Sequence, residues 1–211
     1  MFQDFLSFVG VSLTITSAIL AIIKFRFLNS GLRIVFAFLL LSIISDLIST
    51  AIYLSGNIPS LWLNIYTIPE SIIFGVFYYW LFKNSRSNQL LLVATALVIG
   101  ISAIIILIFI EPLTPLLNTM SLGLEATIFI FVSVGYFYVM LNKMEFDNPF
   151  NNPIFWMNAG VLIYFSGSFF SFMFSAVKYP QLGLGIWVIH NAVHIIFVLF
   201  ILIGFWKVRK T

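Results

Sequence analysis

The chain has 211 residues, of which 62% are apolar and only 8% are Asp, Glu, Lys or Arg. Soluble domains carry about 25% charged residues, so this chain cannot cover itself with water-compatible surface. Its mean hydropathy is +1.12. That balance excludes a soluble enzyme, a disordered tail and a nucleic-acid binder, and the absence of cysteine excludes disulfides, thiolate metal sites and cysteine nucleophiles.

The N-terminus, Met1-Phe2-Gln3-Asp4, has no positive n-region and no A-x-A site follows, so the first apolar stretch is expected to remain as a helix. A bilayer core takes about 20 apolar residues per helix. Seven stretches reach that length, at about 5–23, 32–53, 61–82, 90–110, 115–141, 153–176 and 184–206. Turn residues separate them: Asn29-Ser30-Gly31, Gly56 to Pro59, Asn84 to Asn88, Glu111-Pro112, Asn148-Pro149 through Asn152-Pro153, and Tyr179-Pro180. Pro112 and Pro115 break what would otherwise be one long helix. The expected fold is all-α, a single seven-helix membrane domain over residues 1–211.

Charge sets the expected orientation. With the N-terminus outside, the inner loops hold Lys24, Arg26, Arg33, Lys83, Arg86 and Lys143, and the tail adds Lys207, Arg209 and Lys210. Only Lys178 falls outside, and the reverse orientation inverts the ratio. The net charge of +3 thus reads as membrane orientation rather than affinity for nucleic acid. Trp62, Trp80, Trp156, Trp187 and Trp206 fall near predicted helix ends, as an interfacial aromatic belt requires. The expected location is the inner (cytoplasmic) membrane, with the C-terminus cytoplasmic. The longest loop, about 142–152, holds no catalytic domain, so any signal has to reach a separate protein partner. Glu70-Ser71-Ile72-Ile73-Phe74 and Glu125-Ala126-Thr127-Ile128-Phe129 share the pattern E-x-x-I-F, a match short enough to arise by chance.

Five ionisable residues lie inside the predicted spans: Asp46, Glu70, Glu125, His190 and His194. Charge in hydrocarbon is costly, so such residues usually face a protein interior or a water-filled cavity. At 1.5 Å per residue they lie about 9 to 15 Å below the outer helix ends, all in the outer half of the bilayer. His190 and His194 share one helix face at i, i+4. Ser42, Ser49 and Thr50 share the face of Asp46; Tyr66 precedes Glu70 by a turn, and Ser121 precedes Glu125. Tyr164, Ser168 and Ser171 align on the sixth segment. Serines, Asn158 and Asn191 are expected mainly to serve as interhelical hydrogen-bond glue. Asp46, Glu70, Glu125, His190, His194, Tyr66 and Tyr164 are the candidate lining of a polar ligand pocket.

The His190/His194 spacing also suits two ligands of one Zn²⁺. A carboxylate from Glu70, Glu125 or Asp46, with Glu70 the candidate, would leave an open position for a nucleophilic water. No Glu follows His190, so the pattern is not H-E-x-x-H, and no G-x-S-x-G elbow or mid-helix lysine for a retinal Schiff base is present.

The seventh-segment pair His190 and His194, with Ser42 and Asp46 on the second, resembles the superfamily of alkaline ceramidases and progestin/adiponectin-type receptors. That resemblance implies seven helices, an intramembrane zinc and hydrolase-like chemistry, but this chain has no third histidine. More of the chain is similar to a group of uncharacterised small seven-helix membrane proteins of Bacteroidota-type bacteria. It rests on Tyr66 and Glu70, Glu125, Phe155-Trp156-Met157-Asn158, Leu162 through Gly167, Trp187 through Asn191, and Ile203 through Lys207. It implies the architecture and no activity.

The expected function is ligand binding, with a small-molecule or lipid ligand, by a sensory membrane protein. The alternative is a metal-dependent hydrolase of a lipid amide or ester. Proton-coupled transport is a third reading. It lacks a matching pair of broken helices, since Pro69 beside Glu70 is answered only by Gly123 near Glu125.

Overall fold

The computed structural model describes residues 2–57, 60–83, 119–142, 148–175 and 183–209. These contain six α-helices: α1 (Phe2–Ile23), α2 (Ser30–Leu54), α3 (Ser60–Leu81), α4 (Thr119–Asn142), α5 (Pro153–Ser175) and α6 (Gly183–Lys207). Five of them contain stretches long and apolar enough to cross a membrane: Phe5–Ile23, Ser30–Leu54, Leu122–Asn142, Pro153–Ser171 and Val188–Lys207. The predicted segment at 90–110 lies outside the described residues.

Local chemistry sets several helix ends. The Asn29 side chain accepts a hydrogen bond from the Leu32 N–H at 3.0 Å and caps α2. At the other end of α2 the chain turns through Gly56, whose φ of +80° is a conformation that glycine adopts without strain. Asn152 accepts from the Ile154 N–H at 2.9 Å, and Pro153 opens α5, where its missing N–H has no helical partner to lose. Pro69 sits inside α3, so one rung of the backbone ladder is missing next to Glu70.

Side-chain contacts fix the directions of the helices. Ser45 meets Trp62, and Gly31 meets Trp80, so α2 and α3 are antiparallel. Phe129 meets Phe165, and Phe137 meets Phe155, so α4 and α5 are antiparallel. Gly167 meets Val193 and Gly204 meets Met157, so α5 and α6 are antiparallel as well. By contrast, Ser71 meets Glu125 and Tyr78 meets Ser133, so α3 and α4 run parallel. Their facing ends, Leu81 and Thr119, therefore lie at opposite ends of the bundle. α1 and α6 are also parallel, joined at Ser7–Asn191 near one end and Lys24–Trp206 near the other.

The tightest packing is between α5 and α6, where small residues let the backbones approach. A Cβ on Gly167 would lie 2.4 Å from Val193 Cγ2, and one on Gly160 would lie 2.9 Å from Phe200 Cβ. The bundle is as apolar outside as inside. Phe8, Leu47, Phe131 and Phe170 project outward while Phe38, Phe74, Phe129 and Phe197 fill the core. A surface of this kind is suited to lipid. The chain is thus a helical membrane protein by the character of its helices.

Candidate functional site

The bundle is layered along its axis. At one end the described basic residues gather. Lys24 Nζ donates to the carbonyls of Trp206 (2.7 Å) and Val208 (2.8 Å) at the end of α6, where positive charge suits the helix terminus. Arg33 sits 5.0 Å over the Phe25 ring, and Lys83 sits 5.4 Å over Trp80.

Above this end is a buried, hydrogen-bonded polar group. The Tyr78 hydroxyl donates to Asn158 Oδ1 at 2.7 Å and also meets Ser133 Oγ. Asn158 Nδ2 donates to the Ser133 carbonyl at 3.0 Å. Three helices are tied at one point, which is the glue role expected of Asn158. Tyr78 and Ser133 were not legible as members of that group. Their signal was the E-x-x-I-F match, because Tyr78 and Ser133 lie eight residues beyond Glu70 and Glu125 and keep the same 55-residue offset.

Next comes an aromatic layer from five helices. Phe74 packs on Phe38 at 4.7 Å, on Phe165 at 5.3 Å and on Phe129 at 5.7 Å. Phe197 closes the layer against Phe38 at 5.6 Å. These side chains are fully or almost fully buried, so the layer is a dry floor.

On that floor stand the carboxyl groups. Glu70 and Glu125 are 5% and 2% exposed, and each lies within electrostatic reach of the other. Glu125 Oε1 accepts from the Ser71 hydroxyl. Glu70 is a close neighbour of the Tyr164 hydroxyl, and its Oε1 has no hydrogen-bond partner among the described residues. Tyr66 is a close neighbour of Ser42 and lies within electrostatic reach of Glu70, Asp46 and Glu125. Asp46 is half-buried with Oδ2 unpartnered among the described residues, and so is Ser168 Oγ, one turn from Tyr164. The α3/α4 register makes this meeting possible. The two E-x-x-I-F stretches lie side by side, glutamate beside glutamate and Phe74 beside Phe129.

Tyr164 links the acids to the histidines. Its ring stacks on Phe197 at 4.8 Å and lies 6.2 Å from His190 and 6.3 Å from His194. His194 also faces α1, where a Cβ on Gly10 would lie 3.3 Å from its Nδ1. The structure therefore draws Glu70, Glu125, Tyr66 and Tyr164 together, sets both histidines against Tyr164, and leaves Asp46 beside Tyr66. Among the described residues no three His, Asp or Glu side chains are grouped so as to hold a metal ion. His190, His194 and Glu70 in this arrangement do not fit a three-ligand zinc site.

The class defined by these layers is a helical membrane protein with a buried acidic cluster on an aromatic floor. No family model, curated protein or solved structure matches the chain.

Proposed function

We propose that the chain is a seven-crossing protein of the cytoplasmic membrane that binds a polar ligand in the layer of Glu70, Glu125, Tyr66 and Tyr164. Ligand occupancy shifts the bundle and is read by a separate protein partner. The fourth crossing is the apolar stretch at 90–110, which the parallel directions of α3 and α4 support. The N-terminus lies outside, because the described basic residues Lys24, Arg26, Arg33, Lys83, Lys207 and Arg209 share the opposite end, the expected cytoplasmic side.

The observation that carries the binding reading is Glu70. It is buried in a membrane bundle beside Tyr164, with its Oε1 unpartnered among the described residues. Leaving a buried acceptor unmatched costs about 1–3 kcal/mol, a cost that an incoming donor removes.

The test is a thermal-stability screen of the purified protein, followed by the fluorescence of its five tryptophans. The panel holds sets of amines, carboxylates, sugars, nucleosides and lipid headgroups. A ligand at 100 times its Kd stabilises by about 2.7 kcal/mol, so a shift of about 5 °C or more is expected from at least one set. That shift should vanish in Tyr164→Phe. No shift from any set would overturn the reading.

A further inference from the structure

The chemical class of that ligand follows from what the acidic layer contains and what it lacks. Three carboxyl side chains from three helices, Asp46, Glu70 and Glu125, lie within electrostatic reach of Tyr66, and the Ser71–Glu125 hydrogen bond sets α3 beside α4 at this level. The described lysines and arginines, Lys24, Arg26, Arg33, Lys83, Lys207 and Arg209, stand at or beyond the other end of α1, α2, α3 and α6. The aromatic floor of Phe38, Phe74, Phe129, Phe165 and Phe197 separates the two ends. A buried carboxylate requires a proton or a positive partner, and no lysine or arginine among the described residues reaches this layer.

A second observation comes from a side chain outside the acid group. Ser168 is 1% exposed and its hydroxyl is unpartnered among the described residues. It lies one turn from Tyr164 on the same face of α5, and Tyr164 is a close neighbour of Glu70. A donor-bearing ligand beside Glu70 would give this oxygen a partner as well.

The described side chains do not suit a bare metal ion as that partner. A metal needs ligands converged on one point, and among the described residues no three acidic or imidazole groups converge in that way. Carboxyls that are electrostatic neighbours without sharing a point suit a cation with a body. Tyrosine faces add a surface that attracts organic cations.

Resting on the pocket reading above, we propose that the acidic layer binds an organic ammonium compound, its cationic nitrogen held between Glu70 and Glu125.

The experiment uses the full chain in lipid nanodiscs and compares 1,4-diaminobutane and tetramethylammonium with the neutral 1,4-butanediol, and with sodium chloride at matched ionic strength. The expected result is stabilisation by an ammonium probe and none by the diol or sodium. Losing one partner of a buried charged pair should weaken apparent affinity about thirtyfold or more in Glu70→Gln. Asp46→Asn, in the half-exposed position, is a second variant should Glu70→Gln fail to fold, and the diamine–diol comparison needs no variant at all. Equal stabilisation by diol and diamine, or by sodium alone, would overturn the proposal. So would stabilisation confined to the carboxylate, sugar or nucleoside sets of the screen, a result that leaves the pocket reading standing. Silence from every probe and every set overturns both.

Discussion

Asn158 offers the clearest measure of how the bundle is held. The side chain is fully buried, accepts from Tyr78 and donates to the Ser133 carbonyl. An interhelical hydrogen bond in a membrane protein contributes about 0.6 kcal/mol on average and at most about 1.7. Asn158→Ala removes two of them and leaves a small cavity, for an expected loss of about 2–4 kcal/mol. Tyr78→Phe removes the hydroxyl that serves both Asn158 and Ser133, for about 1–2 kcal/mol. The two variants share one bond, so a double-mutant cycle should return a coupling of about 0.6–1.7 kcal/mol. The assay is reversible unfolding in mixed micelles followed by tryptophan fluorescence. Phe131→Leu, at a 73% exposed position, serves as a lipid-facing control expected to change little. Strictly additive losses for Asn158→Ala and Tyr78→Phe would refute the bond between them. A loss at Asn158 no larger than at Phe131 would refute its burial at a three-helix junction.

Gly167→Ala should destabilise by about 1–3 kcal/mol, because the new Cβ meets the stiff, branched Val193 at 2.4 Å. Val193→Ala in the same chain should restore most of the loss, and its failure to do so would refute the α5/α6 contact. The chain has no cysteine, so single substitutions report topology directly. Asn57→Cys is expected to react with an impermeant maleimide in intact cells, and Arg26→Cys only after permeabilisation; the reverse pattern would invert the orientation. Elemental analysis should find no zinc whose retention depends on His190 and His194. Near-stoichiometric zinc lost in a His190→Ala/His194→Ala double variant would refute the arrangement around Tyr164 and favour a metal-dependent lipid hydrolase.

Much of the molecule is legible without coordinates because the forces involved are local. Hydrocarbon demands helices of a certain length, so the ranges of five crossing-capable helices follow from apolar runs and their breaks. Asn29 and Asn152 cap where a side-chain acceptor can reach an unpaired N–H, and that reach spans two or three residues. Axial level is legible too, because the helical rise is fixed; it places Glu70, Glu125 and the histidines at similar depth.

Rotation and neighbours are another matter. A helix in a soluble protein turns its apolar stripe inward, but here both faces are apolar and lipid is as good a solvent for them as the core. Nothing along the chain therefore says that Phe74 turns inward while Phe131 turns outward. Nor does it say that Ser71 holds Glu125, or that Tyr164 stands between Glu70 and both histidines. The E-x-x-I-F match carried the right register without the meaning, because residues 55 apart touch only once α3 and α4 lie parallel. Sequence alone determined that the chain is built of helices suited to a membrane and which ionisable groups those helices carry. Tertiary packing decided which of those groups meet, because in a uniformly apolar bundle close contacts at glycine and a few buried hydrogen bonds select the neighbours.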